Sequence, residues 1–175
     1  MDLTQAFAQG LTPADYEQSL DEKQRDLHAL YRKRAKVSPE DIERVAQAGP
    51  MHVLVITEPW CGDSLAIFPV VLALFEAAGS EVRVALRDKN PDLMDRYLTN
   101  GGRAIPIVVV LDEAGDERFH WGPRPAPAQA IVEESREAVA AGTTERIDVH
   151  KKVRAFYAGD SGKTIVEELR ALLAA

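Results

Sequence analysis

The sequence contains a single cysteine, Cys61, so no disulfide bond can form within the chain. The absence of disulfides is typical of proteins in a reducing compartment, and we therefore expect a cytoplasmic location. The four histidines are scattered, and none has metal-ligand spacing relative to Cys61. No run approaches the ~20 apolar residues of a membrane span. The sequence thus predicts neither a metal centre nor a membrane anchor, and we expect no cofactor.

Positive charge is also scarce, because 21 lysines and arginines face 28 aspartates and glutamates, for a net charge of -7. Such a balance argues against broad binding to nucleic acid or to anionic membranes. Hydrophobic residues make up 46% of the chain, which is enough for a packed core. A length of 175 residues suits a single domain, which we predict to span residues 1–175.

The ends of the chain carry helix signals. Thr12-Pro-Ala-Asp15 and Ser38-Pro-Glu-Asp41 each combine a capping hydroxyl, a proline and an acidic residue, which is typical of a helix start. Residues 1–48 are therefore interpreted as an N-terminal helical extension. Beyond residue 127, apolar periodicity predicts helices over 128–141, 144–157 and 163–174. We assign residues 143–175 to a C-terminal helical extension.

Between these extensions, residues 49–142 show the pattern of an α/β core. Four segments have strand character: residues 51–56, 81–86, 105–111 and 117–121. The first is almost wholly apolar, which indicates a central strand covered on both faces. Helical patterns over residues 65–78 and 91–98 separate the first three strands. The order predicts a mixed sheet of about four strands flanked by helices.

Cys61 falls between the first strand and the helix that follows it. A helix N-terminus presents unpaired N–H groups and the positive end of a dipole, which stabilise a thiolate. We therefore predict that Cys61 is partly exposed and that its pKa lies below that of a free thiol. Ligand sites of open α/β sheets also cluster at the carboxyl ends of strands. The position favours a reactive thiol over an inert one.

Trp60-Cys-Gly-Asp-Ser64 resembles the thioredoxin active-site motif, Trp-Cys-Gly-Pro-Cys. Thioredoxins carry a helix-kinking proline five residues beyond the second cysteine, and Pro69 lies five beyond Ser64. They also have a cis-proline before an apolar strand, and Ile105-Pro106 matches it. The resemblance covers roughly residues 50–140 and implies a thioredoxin-like fold. Together with Trp121-Gly-Pro-Arg-Pro125, the motif is similar to that of a bacterial branch of the superfamily.

The chain departs from the thioredoxin pattern in three places. Ser64 replaces the resolving cysteine, and Asp63 replaces the motif proline, placing a carboxylate beside the thiol. Val55 stands where thioredoxins bury an acid that helps to deprotonate their second cysteine. Since no second thiol is present, a mixed disulfide on Cys61 can be cleared only by an external thiol.

The resemblance implies a monothiol thiol–disulfide oxidoreductase of cell redox homeostasis, with Cys61 as nucleophile. Ser64 and the Gly62 backbone would surround the sulfur, with Trp60 and Asp63 beside it. Ile105 and Pro106 would form the opposite wall and hold an extended substrate, which Trp60, Gly62 and Asp63 would also contact. The expected substrate is a protein disulfide or a mixed disulfide with a small thiol. We interpret Trp121 as a core residue and Arg124 as a surface residue.

Two other functions stay open at this point. One is a redox-inactive thioredoxin-fold module that binds a protein partner, which the missing second cysteine and the missing buried acid favour. The other is a monothiol glutaredoxin-like protein, since Cys61-Gly-Asp-Ser64 is similar to a Cys-Gly-Phe-Ser motif that bridges an iron–sulfur cluster with glutathione. Trp60 and the long helical ends argue against this last reading. So does the lack of a Gly-Gly-x-Asp segment after the hairpin.

Overall fold

The computed structural model describes residues 2–175. Its strands are β1 (His52–Thr57), β2 (Glu81–Leu86), β3 (Ile107–Leu111) and β4 (Glu117–Trp121). Its helices are α1 (Leu3–Gln9), α2 (Pro13–Gln18), α3 (Glu22–Arg34), α4 (Pro39–Gln47), α5 (Gly62–Phe75), α6 (Pro91–Met94), α7 (Ala126–Glu134), α8 (Arg136–Ala140), α9 (Arg146–Asp160) and α10 (Lys163–Ala174), with a 3₁₀ turn at Arg87–Lys89. The predicted strands are all present, each within two residues of its expected bounds.

The four strands form one mixed sheet in the order β2-β1-β3-β4. β1 pairs parallel with β2, as a crossover through a helix requires, and antiparallel with β3. β3 and β4 form the predicted antiparallel hairpin. This confirms the α/β fold class, with a four-stranded mixed sheet flanked by helices.

Both faces of the central strand β1 are buried, as its apolar sequence predicts. Because side chains alternate along a strand, Val53 and Val55 of β1 face one cluster, and Leu54 and Ile56 face the other. The first cluster contains α5 and side chains of α2, α4, α9 and α10. The second contains side chains of α1 and α6, and it also includes Cys61. Within residues 2–175, none of the helices combines the length and the apolar character needed to span a lipid bilayer.

Helix boundaries differ from the predictions where a residue within a helical segment begins a new helix. Thr12 and Ser38 begin helices as predicted, but Asp21 begins a further helix between them, because it and Gln24 form a reciprocal capping box. The segment 128–141 is likewise interrupted at Ser135. The third strand begins at Ile107 rather than Ile105, since Pro106 has no N–H to donate to the sheet.

The N-terminal segment is tightly joined to the sheet. Leu11 exchanges two backbone hydrogen bonds with Val84 of β2, at 2.8 and 2.9 Å. α1 packs on the same face as α6, with Leu3 and Phe7 buried. Leu11 thereby covers part of the β2 edge, which would otherwise expose unpaired backbone groups.

Candidate functional site

Cys61 occupies the N-cap position of α5, as its sequence context predicts. A tight turn carries the chain from β1 to this position, and the Cys61 N–H donates to the Glu58 carbonyl at 3.1 Å. The side chain is more enclosed than predicted, since only 8% of the residue is exposed. The expectation of a partly exposed thiol is therefore wrong.

The opposite wall of the site is the segment before β3. The Ile105–Pro106 peptide bond is cis, as the family resemblance implies. The Cys61 thiol donates to the Ile105 carbonyl oxygen at an Sγ–O distance of 3.5 Å. The structure thus brings Cys61 close to Ile105 and Pro106, which lie at least 44 residues further along the chain. A second cis bond, Gly122–Pro123, was not predicted.

Gly122 packs closely against this wall of the site. Its φ is +127°, a conformation that favours glycine, and a Cβ added there would lie 2.3 Å from the Pro106 carbonyl oxygen. The backbone after β4 therefore packs directly against the backbone of Pro106. A glycine in a proline-rich turn gives no sign, from sequence alone, of which segment it will contact.

Buried hydroxyl groups lie behind the sulfur. Ser64, only 1% exposed, accepts a hydrogen bond from the Thr57 hydroxyl at the end of β1. The Tyr16 side chain of α2 is also buried, and its hydroxyl has no hydrogen-bond partner within residues 2–175. Burial raises the pKa of Tyr16 far above its ordinary value, so the phenol stays neutral. Thr57 and Tyr16 were missed by sequence reasoning.

The environment of Cys61 favours the protonated thiol. Burial raises its pKa, because the thiolate loses hydration. The Ser64 hydroxyl and the Ser64 backbone N–H act in the opposite direction, and the Asp63 carboxylate adds to the increase. The helix N-terminus is present, but burial outweighs it, so the predicted lowering of the thiol pKa is wrong.

Asp63 points into an ion pair instead of lying free beside the sulfur. Its carboxylate forms an ion pair with the Arg124 guanidinium at 2.7 Å and accepts a hydrogen bond from the Tyr157 hydroxyl at 2.8 Å. The Arg124 side chain is only 18% exposed, so the prediction of an ordinary surface arginine is wrong. Tyr157 of α9 lies 94 residues from Asp63 in sequence, which is why no local pattern connects them.

The two tryptophans have opposite environments. Trp60 is 57% exposed, and the Arg87 guanidinium lies 4.7 Å from its ring centroid, a cation–π arrangement. Trp121 is buried, and its indole N–H donates to Glu168 at 2.7 Å, which confirms the core interpretation. An exposed indole next to the buried thiol offers an apolar surface at the entrance to the site.

Two predicted features around the motif have different outcomes. Pro69 lies inside α5, as in the thioredoxin pattern. Val55 is fully buried in the apolar cluster on the α5 face, so no acid replaces the missing carboxylate at that point. In the described part of the chain, no group of three histidine, cysteine, aspartate or glutamate side chains could hold a metal ion.

Comparison with known proteins places this geometry in context. A thioredoxin family model matches residues 10–139, which takes in most of the N-terminal helices as well as the sheet. No curated protein matches the sequence.

Two solved structures share the fold over nearly their whole length. Protein PA1234 from Pseudomonas aeruginosa, of unknown function, superposes with a TM-score of 0.75 at 20% identity, covering 99% of this chain and 98% of that one. An HIV 4E10 epitope scaffold superposes with a TM-score of 0.72 at 18% identity, with the same coverage of 99% and 98%. At this level of identity, both show the fold alone.

Proposed function

This chain belongs to the thioredoxin family whose model it matches, and on that premise we propose that it is a monothiol thiol–disulfide exchange protein with Cys61 as the nucleophile. The carrying observation is the Sγ of Cys61, which caps a helix 3.5 Å from the carbonyl that precedes cis-Pro106. An extended substrate segment lying along Ile105 and Pro106 would bring its disulfide to the sulfur.

The exchange has two steps. The Cys61 thiolate attacks one sulfur of a disulfide R–S–S–R′, forming Cys61–S–S–R, and R′–S⁻ leaves and takes up a proton. A second thiolate, R″–S⁻, then attacks the R sulfur, so that R–S–S–R″ forms and the Cys61 thiolate returns. Electrons balance because each step exchanges one S–S bond for another. The R″ thiol must come from outside, since the chain has one cysteine.

Each predicted site residue has a distinct proposed role. The Ser64 hydroxyl donates a hydrogen bond to the thiolate, and the Gly62 backbone lies beside the sulfur. Trp60 supplies the apolar entrance, and Ile105 and Pro106 hold the substrate. Asp63 positions Arg124 and Tyr157 rather than meeting the substrate directly. The substrate would be a protein disulfide or a small-thiol mixed disulfide, in a reducing compartment such as the cytoplasm.

Intact-mass spectrometry tests the proposal. Wild-type protein treated with a small disulfide should form one stable adduct per chain, and Cys61→Ser should form none. A small thiol added afterwards should remove the adduct. The rate constant per thiolate should exceed that of free cysteine, and a rate no higher than that of free cysteine would overturn the proposal.

Ser64→Cys provides an internal control for the geometry. Residue 64 lies in the first turn of α5, beside the sulfur that it influences. The new thiol should expel the adduct and close an intrachain disulfide, and the variant should gain reduction of insulin-type disulfides. Persistence of the adduct on Ser64→Cys would show that the two side chains do not meet as the structure places them.

A second candidate function is a redox-inactive binding module, and the burial of Cys61 with its raised pKa favours it. In this case, Cys61 would be a core residue, and the exposed Trp60 would contact a partner. The pH dependence of iodoacetamide labelling separates the candidates. A labelling rate below that of free cysteine at every pH, corrected for thiolate fraction, would support the module.

A further inference from the structure

A cleft on the α7–α9 side of the molecule leads away from the site. α7, α8 and the start of α9 enclose a cavity of about 580 Å³. A second cavity, of about 110 Å³, is lined by Gly62 and Asp63, which directly follow Cys61. The two cavities share Arg124, Val132 and His150, so they adjoin, and together they make a cleft whose smaller part reaches the two residues after Cys61.

The cleft is strongly cationic on a chain that is acidic overall. Arg136 and Arg146 line the larger cavity, and Arg154 lines the smaller one. None of these three arginines forms an ion pair with any carboxylate of residues 2–175. Against a net charge of -7, this concentration of unpaired guanidinium groups marks an anion-attracting surface.

The single carboxylate in the lining does not cancel this charge. Asp63 already accepts Arg124 and the Tyr157 hydroxyl, so its acceptor positions face into the protein. Between the arginines, Val132, Val139 and Val149 supply an apolar floor. An apolar floor with a few charged groups is typical of a small-molecule site, and the volume lies within the range of roughly 300–1,000 Å³ seen for such sites.

We propose that this cleft binds the external thiol that the exchange reaction needs, and that this is a low-molecular-weight thiol bearing carboxylate or phosphate groups. The inference rests on the proposed function of Cys61. The anionic groups of the small molecule pair with Arg136 and Arg146, while its sulfur end lies toward Gly62. In the second step, its thiolate attacks the substrate sulfur of the mixed disulfide, leaving as a new disulfide and releasing the Cys61 thiolate.

Three disulfides of similar size and different charge test the preference. They are dithiodipropionate, which is anionic, bis(2-hydroxyethyl) disulfide, which is neutral, and cystamine, which is cationic. The rate at which each disulfide forms an adduct on Cys61 is divided by the rate at which the same disulfide reacts with 2-mercaptoethanol. This ratio removes differences in the intrinsic reactivity of the disulfides. At low salt, the order should be anionic, then neutral, then cationic, and 1 M salt should flatten it. Equal normalised rates at low salt would overturn the inference.

Single substitutions test whether the arginines of the cleft cause the preference for anionic disulfides. Arg136→Gln and Arg146→Gln should each reduce the anionic preference about two- to fivefold, the usual size of an exposed charge pair. Arg44→Gln removes a helical arginine that is also exposed, lies outside the cleft and is paired with Glu40, and it should change nothing. If Arg44→Gln has the same effect as the cleft variants, only net charge matters and the cleft assignment is wrong.

A binding measurement separates this inference from the proposed function. Isothermal titration of Cys61→Ser with S-methylglutathione requires no chemistry at sulfur. Binding that weakens in Arg136→Gln supports the cleft even if wild-type Cys61 proves unreactive. Absence of binding to both S-methylglutathione and coenzyme A, titrated in the same way, overturns it even if Cys61 exchanges rapidly. Glutathione and coenzyme A, compared as resolving thiols, distinguish a carboxylate-bearing from a phosphate-bearing ligand.

Discussion

At the scale of single residues, the ionisation of Cys61 depends on opposing contacts. Burial raises the pKa of the thiol, and the thiol proton already has an acceptor in the Ile105 carbonyl, which also favours the neutral form. The Ser64 hydroxyl and backbone N–H favour the thiolate, and Asp63 opposes it. A substrate that displaces the Ile105 contact and offers donors to the sulfur would therefore shift this balance toward the reactive form.

Substitutions at these two neighbours should move the thiol pKa in opposite directions. Asp63→Asn removes a nearby negative charge and should lower the pKa of Cys61, whereas Ser64→Ala removes a donor and should raise it. Thiolate ultraviolet absorbance measured against pH reports both. Asp26→Asn, an exposed carboxylate on α3, is the control and should leave the pKa unchanged. A higher Cys61 pKa in Asp63→Asn would contradict this assignment, because removing the Asp63 charge and freeing the Arg124 cation should both stabilise the thiolate.

At the scale of elements, the site is made by packing one backbone segment against another. Cys61 is placed by the turn between β1 and α5, and its opposite wall by the segment before β3. Gly122, just after β4, supports that wall through close contact with the Pro106 carbonyl. A change at Gly122 should therefore be felt at Cys61, although the two residues are not in contact.

Gly122→Ala tests this support. Its Cβ would meet the Pro106 oxygen at 2.3 Å, so the wall must shift, and overpacking adds to the strain of a positive φ. We expect a loss of about 3 kcal/mol in the free energy of unfolding, together with slower disulfide exchange. Gly142→Ala is the matched control, because its φ is also positive, at +72°, and nothing lies within 4 Å. That variant should lose about 1 kcal/mol and exchange normally.

Exchange kinetics and urea unfolding together decide the outcome. Gly122→Ala protein that is destabilised but exchanges at the wild-type rate would show that the Pro106 wall does not contribute to the reaction. Equal destabilisation in both variants would show that the close contact is relieved elsewhere.

The packing of α3 on α5 contains a pH-sensitive group. His28 is buried against the Phe68 ring, and burial, followed by the Arg32 charge, lowers its pKa to about 4. Glu17 lies 3.5 Å from the ring nitrogen, but it is shared with Arg32 at 3.7 Å and so is already paired. The neutral imidazole is the form that fits.

Stability should therefore fall as pH decreases from about 6.5 toward 4. The unfolded histidine takes up a proton near pH ~6.5, while the folded one resists it, so protonation favours the unfolded chain over this window. Between pH 7.5 and pH 5, the loss should be about 1–2 kcal/mol in urea unfolding. His28→Gln should flatten this slope, and His150→Gln, an exposed histidine, should not. Parallel slopes in wild type and His28→Gln would contradict the assignment.

At the scale of the whole molecule, sequence reasoning succeeded where the signal was local or carried by a family pattern. Runs of apolar and β-branched residues located all four strands. The sequence context of Cys61 placed it at the start of α5, and the thioredoxin resemblance implied the cis bond before Pro106. It failed where contacts join distant segments. In the sequence, Arg124 resembles any surface arginine, and only the fold shows its ion pair with Asp63. Thr57 likewise resembles an ordinary strand residue, and only the fold shows its hydrogen bond to Ser64.

The exposure of the thiol was mispredicted for a related reason. A helix N-terminus is a local feature, and the sequence places Cys61 there correctly. Burial, however, depends on the segment before Pro106 and on α6, which lie 30 or more residues further along the chain. Desolvation depends on all of these together, so the sign of the pKa shift could not follow from the motif alone.

The C-terminal helices belong to the same apolar cluster as the sheet. Val153 and Tyr157 of α9, and Ile165 and Leu169 of α10, are buried in it together with α5. Tyr157 also reaches Asp63 in the first turn of α5. The predicted C-terminal extension therefore shares a core with α5 and contacts the site through Asp63, and we expect the chain to unfold as a single cooperative unit.

Leu169→Ala, far from the thiol, tests that cooperativity. Leu169 is fully buried, so truncation should cost about 2–5 kcal/mol of the free energy of unfolding through lost burial and a cavity. Leu172→Ala, on the same helix but 37% exposed, is the matched control and should cost under about 1 kcal/mol. Two probes are followed in denaturant: far-ultraviolet circular dichroism for all helices, and thiol labelling for exposure of Cys61. If the chain is one unit, Leu169→Ala must shift both midpoints equally, since opening α10 also opens the core behind α5. A shift confined to the dichroism signal, with Cys61 labelling unchanged, would instead identify residues 143–175 as a separately folding segment.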